Sequence, residues 1–195
     1  EFRYEGMTIP SLKSLDHHDR VITLGNFSKS ISPALRISYM VLPEALAARL
    51  EASLAASDEV KEALLDACPV NAAAQLALAA FLKKGLYEKH VKRLRTAFRN
   101  KRDLMLDCLG PDVDKGDIIG AEAGFHLNVR IHSPASEKEL KRRFAAAGLR
   151  IEFLSDYQVS QKQAKEQDEK ILILSFSSLS PEQIREGVEK IFALL

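Results

Sequence analysis

Large net charge, cysteine pairs and long apolar runs are all missing from this chain of 195 residues. Its formal charge is +1, so no global field draws it to nucleic acid or to a membrane surface. Cys68 and Cys108 are its two cysteines, with no CxxC spacing between them, which points to reduced thiols and against a metal centre or a disulfide. No apolar run approaches the roughly 20 residues needed to cross a bilayer. The opening Glu1-Phe-Arg-Tyr-Glu-Gly has no charged-then-apolar export pattern. An initiating Met is absent too, and the chain is expected to be a piece of something longer.

Hydrophobic residues make up 46% of the chain, enough for one substantial core or two smaller ones. The pattern is organised around residues 21–42. Two apolar runs, Val21–Leu24 and Arg36–Leu42, read as short buried strands rich in Val and Ile. Between them lies a surface loop with Gly25, Ser28, Lys29, Ser30, Ser32 and Pro33. Residues 1–20 read as polar and irregular, with the adjacent His17 and His18 in a solvated turn. Pro43 is expected at the first position of a helix carrying Leu46, Leu50 and Leu54, and Ser57-Asp58 to cap a short one that Pro69 stops.

Asn71 to Leu109 is the longest helical stretch, capped by Asn71 and interrupted at Gly85. Its second half carries Val91, Leu94, Phe98, Met105 and Leu109 on one face. His90, Lys92, Arg93, Arg95, Arg99, Lys101 and Arg102 lie on the other. No aromatic interleaving accompanies these cations, so a solvated or dimer-facing side is expected and not a nucleic-acid surface. Residues 110–124 read as a loop. Beyond it, Phe125, Leu127, Val129 and Ile131 alternate with polar residues as a half-exposed strand. Ser136-Glu-Lys-Glu139 reads as a capping box, Gly148 as a helix stop, Arg150–Leu154 as a strand and Ser155–Lys170 as a charged loop. Ile171–Phe176 is apolar on both faces, hence central, and Ser180-Pro-Glu-Gln183 opens a last helix. The whole reads as two regions joined by a long helix.

A loop lysine gains chemistry when a cation and desolvation keep its amine neutral enough to attack a carbonyl. Arg36 supplies such a cation and can also clamp a phosphate with two parallel hydrogen bonds. Ser28 and the loop N–H groups add neutral donors to the same anion. A phosphate-bearing aldehyde would use all of them together, and pyridoxal 5′-phosphate is that cofactor.

Leu24-Gly-Asn-Phe-Ser-Lys-Ser-Ile-Ser-Pro-Ala-Leu-Arg-Ile-Ser-Tyr39 resembles the Schiff-base lysine motif of fold-type I aminotransferases. It is most similar to the aminotransferase-like domain of MocR-type transcriptional regulators of the GntR superfamily. Further likenesses follow in order: Gln75-Leu-Ala-Leu78, Gly85-Leu-Tyr-Glu-Lys-His90, Lys92-Arg-Leu-Arg95, Arg102-Asp103, Gly124-Phe-His-Leu127, Leu154-Ser-Asp-Tyr157, Leu174-Ser-Phe176 and Glu186-Gly187. The resemblance implies an α/β fold of the pyridoxal-phosphate-dependent transferase type. Residues 1–70 would be part of a large cofactor-binding domain, 71–109 interdomain helices, and 110–195 a small C-terminal α/β domain.

It further implies that Lys29 carries the cofactor, that Ser28 and Arg36 hold its phosphate, and that Asn26 is a weaker phosphate ligand. The groups that would contact the pyridinium nitrogen and the ring faces lie upstream of Glu1. Ile173 stands where such enzymes keep an arginine for the substrate carboxylate, with Arg150 and Arg130 as possible replacements. The implied function is sensing of an amine or amino acid in a cytoplasmic, homodimeric regulator that binds DNA through an N-terminal winged helix. The alternatives are a piece of a genuine aminotransferase and a structural module without a cofactor. The 195 residues alone are expected to bind little cofactor, to expose apolar strand surface in the first region and to be best formed over 125–195.

Overall fold

In a computed structural model, which describes residues 2–67, 70–110, 113–157 and 169–195, the chain falls into two compact units. One comprises Leu94–Leu195 with the first six residues, the other Met7–Arg93. Cys68, Pro69 and most of the charged loop expected before Lys170 lie outside the described residues.

The larger unit is built on four antiparallel strands: β3 (Ile118–Ile119), β4 (His126–Ile131), β5 (Glu152–Phe153) and β6 (Lys170–Ser175), in the order β3-β4-β6-β5. Leu127, Val129 and Ile131 of β4 are buried and the residues between them are not, as the alternation predicts. Register places Leu127 beside Leu174 and Val129 beside Leu172, so the apolar rows of β4 and β6 coincide. β6 is an interior strand, as its apolar faces require.

Two helices close this core. From α5 (Glu137–Ala146) come Leu140 and Phe144, and from α6 (Pro181–Leu194) come Ile184, Val188 and Ile191. The Phe144 and Phe153 rings stack 6.5 Å apart. Burying each such side chain contributes about 1.5–3 kcal/mol, so this cluster dominates the unit's stability. β3 was not foreseen inside the 110–124 loop. Two residues are too short for a periodic signal, and the strand exists because Ile118 and Ile119 pair with Val129 and Asn128.

Both expected caps form, with one difference. Ser180 accepts from the Gln183 N–H while Gln183 accepts from the Ser180 N–H, a complete capping box with Pro181 behind it. Ser136 accepts from the Glu139 N–H at 3.3 Å, but the Glu139 carboxylate is drawn away by Arg142 and Arg143, at 2.9–3.0 Å. Two guanidiniums outcompete one backbone N–H for a charged acceptor. They hold the Glu139 carboxyl at about 2, Arg142 contributing most and Arg143 next.

The smaller unit holds a ribbon of β1 (Thr23–Asn26) and β2 (Ser38–Val41), then α1 (Glu44–Ala56), α2 (Asp58–Ala67), α3 (Ala72–Lys83) and the start of α4 (Leu86–Leu109). The strands were expected to be buried and are not. Leu24 is 74% exposed, and Tyr39, Met40 and Val41 are exposed as well. Two strands form a ribbon, and neither face is covered by another layer among the described residues, so apolar strand surface faces solvent as also expected. Pro43 stands at the cap and not one position later, Asn71 caps α3 by accepting from the Ala74 N–H, and Gly85 takes φ +63° between α3 and α4.

The basic side of α4 departs from expectation at its C-terminal half. Arg102 is only 4% exposed. It donates to the Ala121 carbonyl at 3.0 Å, pairs with Glu5 at 2.6 Å and Asp103 at 2.5 Å, and lies 5.2 Å from the centre of the Tyr4 ring. Arg99 donates to the Tyr4 carbonyl and Lys101 to the Ser177 carbonyl. Arg102 is out of water, while Arg99 stays exposed and Lys101 half-buried although both are tied to backbone. The first residues are not irregular either. Phe2 and Tyr4 are buried, and the segment is pinned by Tyr4 N–H to Glu122 O at 2.7 Å and Gly124 N–H to Phe2 O at 2.9 Å.

Two outcomes follow. Arg102→Ala leaves Glu5 and the Ala121 carbonyl without a partner and should cost roughly 2–3 kcal/mol in denaturant unfolding of the larger unit. Glu5→Ala, at an exposed partner, should cost well under half of that. The Glu139 pairing contributes stability fully present above the ordinary carboxyl value of 4.5, and that part is lost as pH falls through about 2. Glu139→Gln should therefore lower stability modestly at neutral pH, converge with the wild type near pH 2, and so flatten that limb of an acid titration followed by circular dichroism.

Candidate functional site

The loop from Phe27 to Ile37 is closed at its base by backbone. Asn26 pairs with Ser38 in the ribbon register, and the Phe27 N–H donates to the Ile37 carbonyl at 3.2 Å. Inside it, the Ile31 and Ser32 N–H groups both donate to the Phe27 carbonyl, at 2.8 and 3.2 Å, winding Phe27–Ser32 into one tight turn. Ser32 then caps the short helical turn Pro33–Leu35 by accepting from the Ala34 N–H. That turn ends at Arg36, whose φ of +52° and ψ of +34° place it in the left-handed region, uncommon for a long side chain. The sequence dictates this course. Pro33 starts the helical turn, serine hydroxyls satisfy its N–H groups, and no helix former extends it.

The structure thus places the four sequence-predicted residues on one element. Asn26 ends β1, and its side-chain carbonyl accepts from the Ser28 N–H at 3.0 Å, which leaves its NH2 group as the donor. Lys29 and Arg36 are both exposed, the first on the turn and the second at its return. Ser28 is half-buried. Asn26 and Ser28 are joined directly, and Arg36 is brought back by the closed base.

Residues 26–38 contain no carboxylate. The loop offers an amine, hydroxyls, an amide NH2 and a guanidinium, a donor set suited to an anion with three oxygens. A phosphate held by these residues would meet no carboxylate of the loop itself.

The sequence reading missed what holds the loop in place. The Phe27 ring packs between Tyr39, 5.4 Å away, and Tyr87, 5.8 Å away at 83°. Gly25 lies opposite Tyr39 in the register, and a Cβ at Gly25 would fall 2.2 Å from the Tyr39 ring. Glycine is required there because the tyrosine lies across it. The signal was the antiparallel register, which sets the residue four before Lys29 beside Tyr39. Ser30 is 1% exposed and its hydroxyl has no hydrogen-bond partner among the described residues. It was seen only as a loop serine.

In the larger unit, Ile173 sits on β6 with Asn128 and Glu152 as its cross-strand neighbours. Arg130 is engaged by Asp117 at 3.0 Å and Glu169 at 3.4 Å. Arg150 is exposed and has no ion-pair partner among the described residues. Neither His17 nor His18 joins a metal-ligating group, and no such cluster occurs among the described residues. No described helix is long and apolar enough to cross a membrane.

No family model matches the chain. Curated proteins do. An uncharacterised HTH-type transcriptional regulator, YdeL of Bacillus subtilis, is 37% identical over 194 residues, which are 99% of this chain and 39% of YdeL. The probable rhizopine catabolism regulatory protein MocR of Rhizobium meliloti is 27% identical over 192 residues, 98% of this chain and 36% of that protein. The pyridoxine biosynthesis regulator PdxR of Corynebacterium glutamicum is 32% identical over 157 residues, covering 80% of this chain and 32% of PdxR.

Solved structures agree on the fold. Kynurenine aminotransferase of Pyrococcus horikoshii matches with a TM-score of 0.76 at 25% identity, over all of this chain and 46% of that one. LysN, the α-aminoadipate aminotransferase of Thermus thermophilus, matches with a TM-score of 0.74 at 26% identity, over all of this chain and 47% of LysN. The chain spans less than half the length of these relatives. Regulators by sequence and aminotransferases by fold meet in one group: the chain belongs to the MocR-type HTH regulators, as part of their fold-type I, aminotransferase-like domain.

Proposed function

We propose that Lys29 is the covalent anchor for pyridoxal 5′-phosphate, in a domain that senses an amine or amino acid on behalf of a DNA-binding regulator. One observation carries this reading. A single loop, closed by backbone and free of carboxylates, presents the Lys29 amine with the Ser28 hydroxyl and the Arg36 guanidinium. Ser28 and Arg36 would hold the phosphate, Arg36 with two parallel N–H donors and Ser28 with one. Asn26 would add its NH2 group, since its carbonyl is already taken by the Ser28 N–H. When bound, the cofactor supplies an aldehyde that captures amines and a ring that withdraws electrons. The chain's part is to carry the amine and the phosphate donors on one closed loop. The tight Phe27–Ser32 turn does that, and the aromatic contacts of Phe27 keep it in place.

On this reading residues 1–70 belong to a larger cofactor-binding domain, 71–109 are interdomain helices and 110–195 form the small domain. The whole protein would be a cytoplasmic homodimer. It would contact its operator through a separate helix-turn-helix domain, and the HTH-type names of the relatives support that last part. A change at Lys29 on amine capture would then be passed on as a movement of domains.

Borohydride reduction of the full-length protein loaded with pyridoxal 5′-phosphate, followed by peptide mass mapping, should place the pyridoxyl group on Lys29. Lys29→Ala should abolish the label, and Arg36→Ala should weaken cofactor affinity about tenfold or more. A label on another lysine sinks the anchor. Rapid transamination with common amino donors would make the domain an enzyme and sink the sensor.

A further inference from the structure

Positive charge is concentrated in one short stretch that begins in the smaller unit. Residues 83–102 hold nine of the chain's 28 lysines and arginines and one of its 27 acids, Glu88. The remainder is therefore net acidic, and the positive field is local. At the far end of the stretch, Arg99, Lys101 and Arg102 are committed to carbonyl and carboxylate partners. The near end differs. Lys83, Lys84, Lys89, Lys92 and Arg93 belong to the smaller unit, and all five are exposed. Lys83 and Lys84 close α3, and Gly85 turns the chain at φ +63°. Lys89, Lys92 and Arg93 then follow within the first two turns of α4.

Helix stability does not account for this arrangement. Cations suit the C-terminal end of α3, but the N-terminal turns of α4 favour acids, and Glu88 is the one acid in its first turn. Lys89 lies three and four residues before Lys92 and Arg93, so like charges share one face of the helix and repel. Exposed side chains on a helix surface do not enclose a small anion as a pocket does. The arrangement suits an extended polyanion, whose closely spaced charges relieve the repulsion.

We propose that this face binds the phosphate backbone of duplex DNA, outside the bases that a helix-turn-helix domain reads. The inference rests on the regulator reading given above. Duplex DNA carries about one charge per 1.7 Å of its axis, and cations brought against it release condensed counterions. Lys89 and Arg93 lie about 6 Å apart along α4, so a backbone passing over the helix meets both. Contacts of this kind position a protein on the duplex and carry no base information. The absence of aromatics interleaved with the cations excludes stacking on bases, and phosphate contacts do not need it.

The test reads salt dependence. Full-length protein is titrated with a random-sequence duplex of about 60 bp by fluorescence anisotropy, at about 50–200 mM salt. One variant combines Lys83→Gln, Lys84→Gln, Lys89→Gln and Arg93→Gln. A control of the same net charge combines Lys61→Gln, Lys115→Gln, Lys138→Gln and Arg185→Gln, which are exposed cations elsewhere. Each phosphate contact contributes about 0.9 to the slope of log K against log salt, so the face variant should lose about 2–4 in slope. It should also bind at least about tenfold more weakly at about 50 mM salt, while the control keeps the wild-type slope. Lys89→Gln with Arg93→Gln alone should lose about 1–2. Glutamine is a good helix former and the changes remove repulsion, so melting temperatures should hold or rise. The proposal is overturned if the face variants keep the wild-type slope, or if the control loses as much. It is also overturned if sedimentation shows that the face variant loses a self-association of the wild type, because the face then belongs to a second copy. A wild type that binds no duplex would overturn the regulator reading as well, whereas an unchanged slope in the face variants sinks this inference alone.

Discussion

A guanidinium taken out of water must be neutralised where it lies, and in the larger unit that constraint is set by Arg102. Burial works to lower its pKa, and the hydrogen bonds it donates to Asp103 and Glu5 more than offset this, so it stays charged. The charge then dictates what surrounds it. Glu5 must be near, which brings in the first residues. Tyr4 presents its ring to the cation, and the Ala121 carbonyl takes another N–H. From this one group follow the pinning of residues 2–5 beside 121–124 and the T-shaped packing of Phe2 on Phe98, 5.5 Å apart.

The two units differ in how far their strands are covered. In the larger one, four strands share a register that aligns apolar rows, and two helices cover the inner face. Conformational entropy is repaid by a contiguous cluster. In the smaller one, two strands pair over four residues each, and most of their side chains remain in water. Ile37, Leu78 and Val91 are its buried aliphatics, which is little to fix a loop in place. The loop therefore relies on its own hydrogen bonds, on Pro33 and on the Phe27 aromatic contacts, all of them local.

What could be read from sequence divides along the same line. Alternation in β4, the apolar stripe of α6 and the cap residues Ser136, Asn71 and Ser180 are local patterns with one structural solution each. They were legible. Arg102 was not, because helical spacing says which residues share a face and nothing about what segment arrives there from ninety or more positions away. Phe2 and Tyr4 escaped for the same reason, as did β3, which exists only through its partner. At the candidate site, Lys29, Ser28 and Arg36 were legible by residue type and by likeness to a known motif. The closed base, the Asn26 carbonyl spent on Ser28 and the Gly25–Tyr39 contact depend on register, which no local window contains.

Register also bears on whether the domain senses or catalyses. On β6, Ile173 is flanked across the strands by Asn128 and Glu152. Facing pairs in a sheet project to the same side, so this row presents an aliphatic group between a carboxamide and a carboxylate. The family resemblance puts a substrate-holding arginine at that central position. A guanidinium there would offer two parallel donors to a carboxylate, and neither isoleucine nor its neighbours can replace them. The nearest cation with a similar geometry on β4, Arg130, is held by Asp117 and Glu169 and would have to give up both. An α-carboxylate placed against this row would lose hydration and meet Glu152 as a like charge. The row that the family resemblance assigns to a substrate carboxylate therefore presents no guanidinium, and an anion placed there would have to be held from another element.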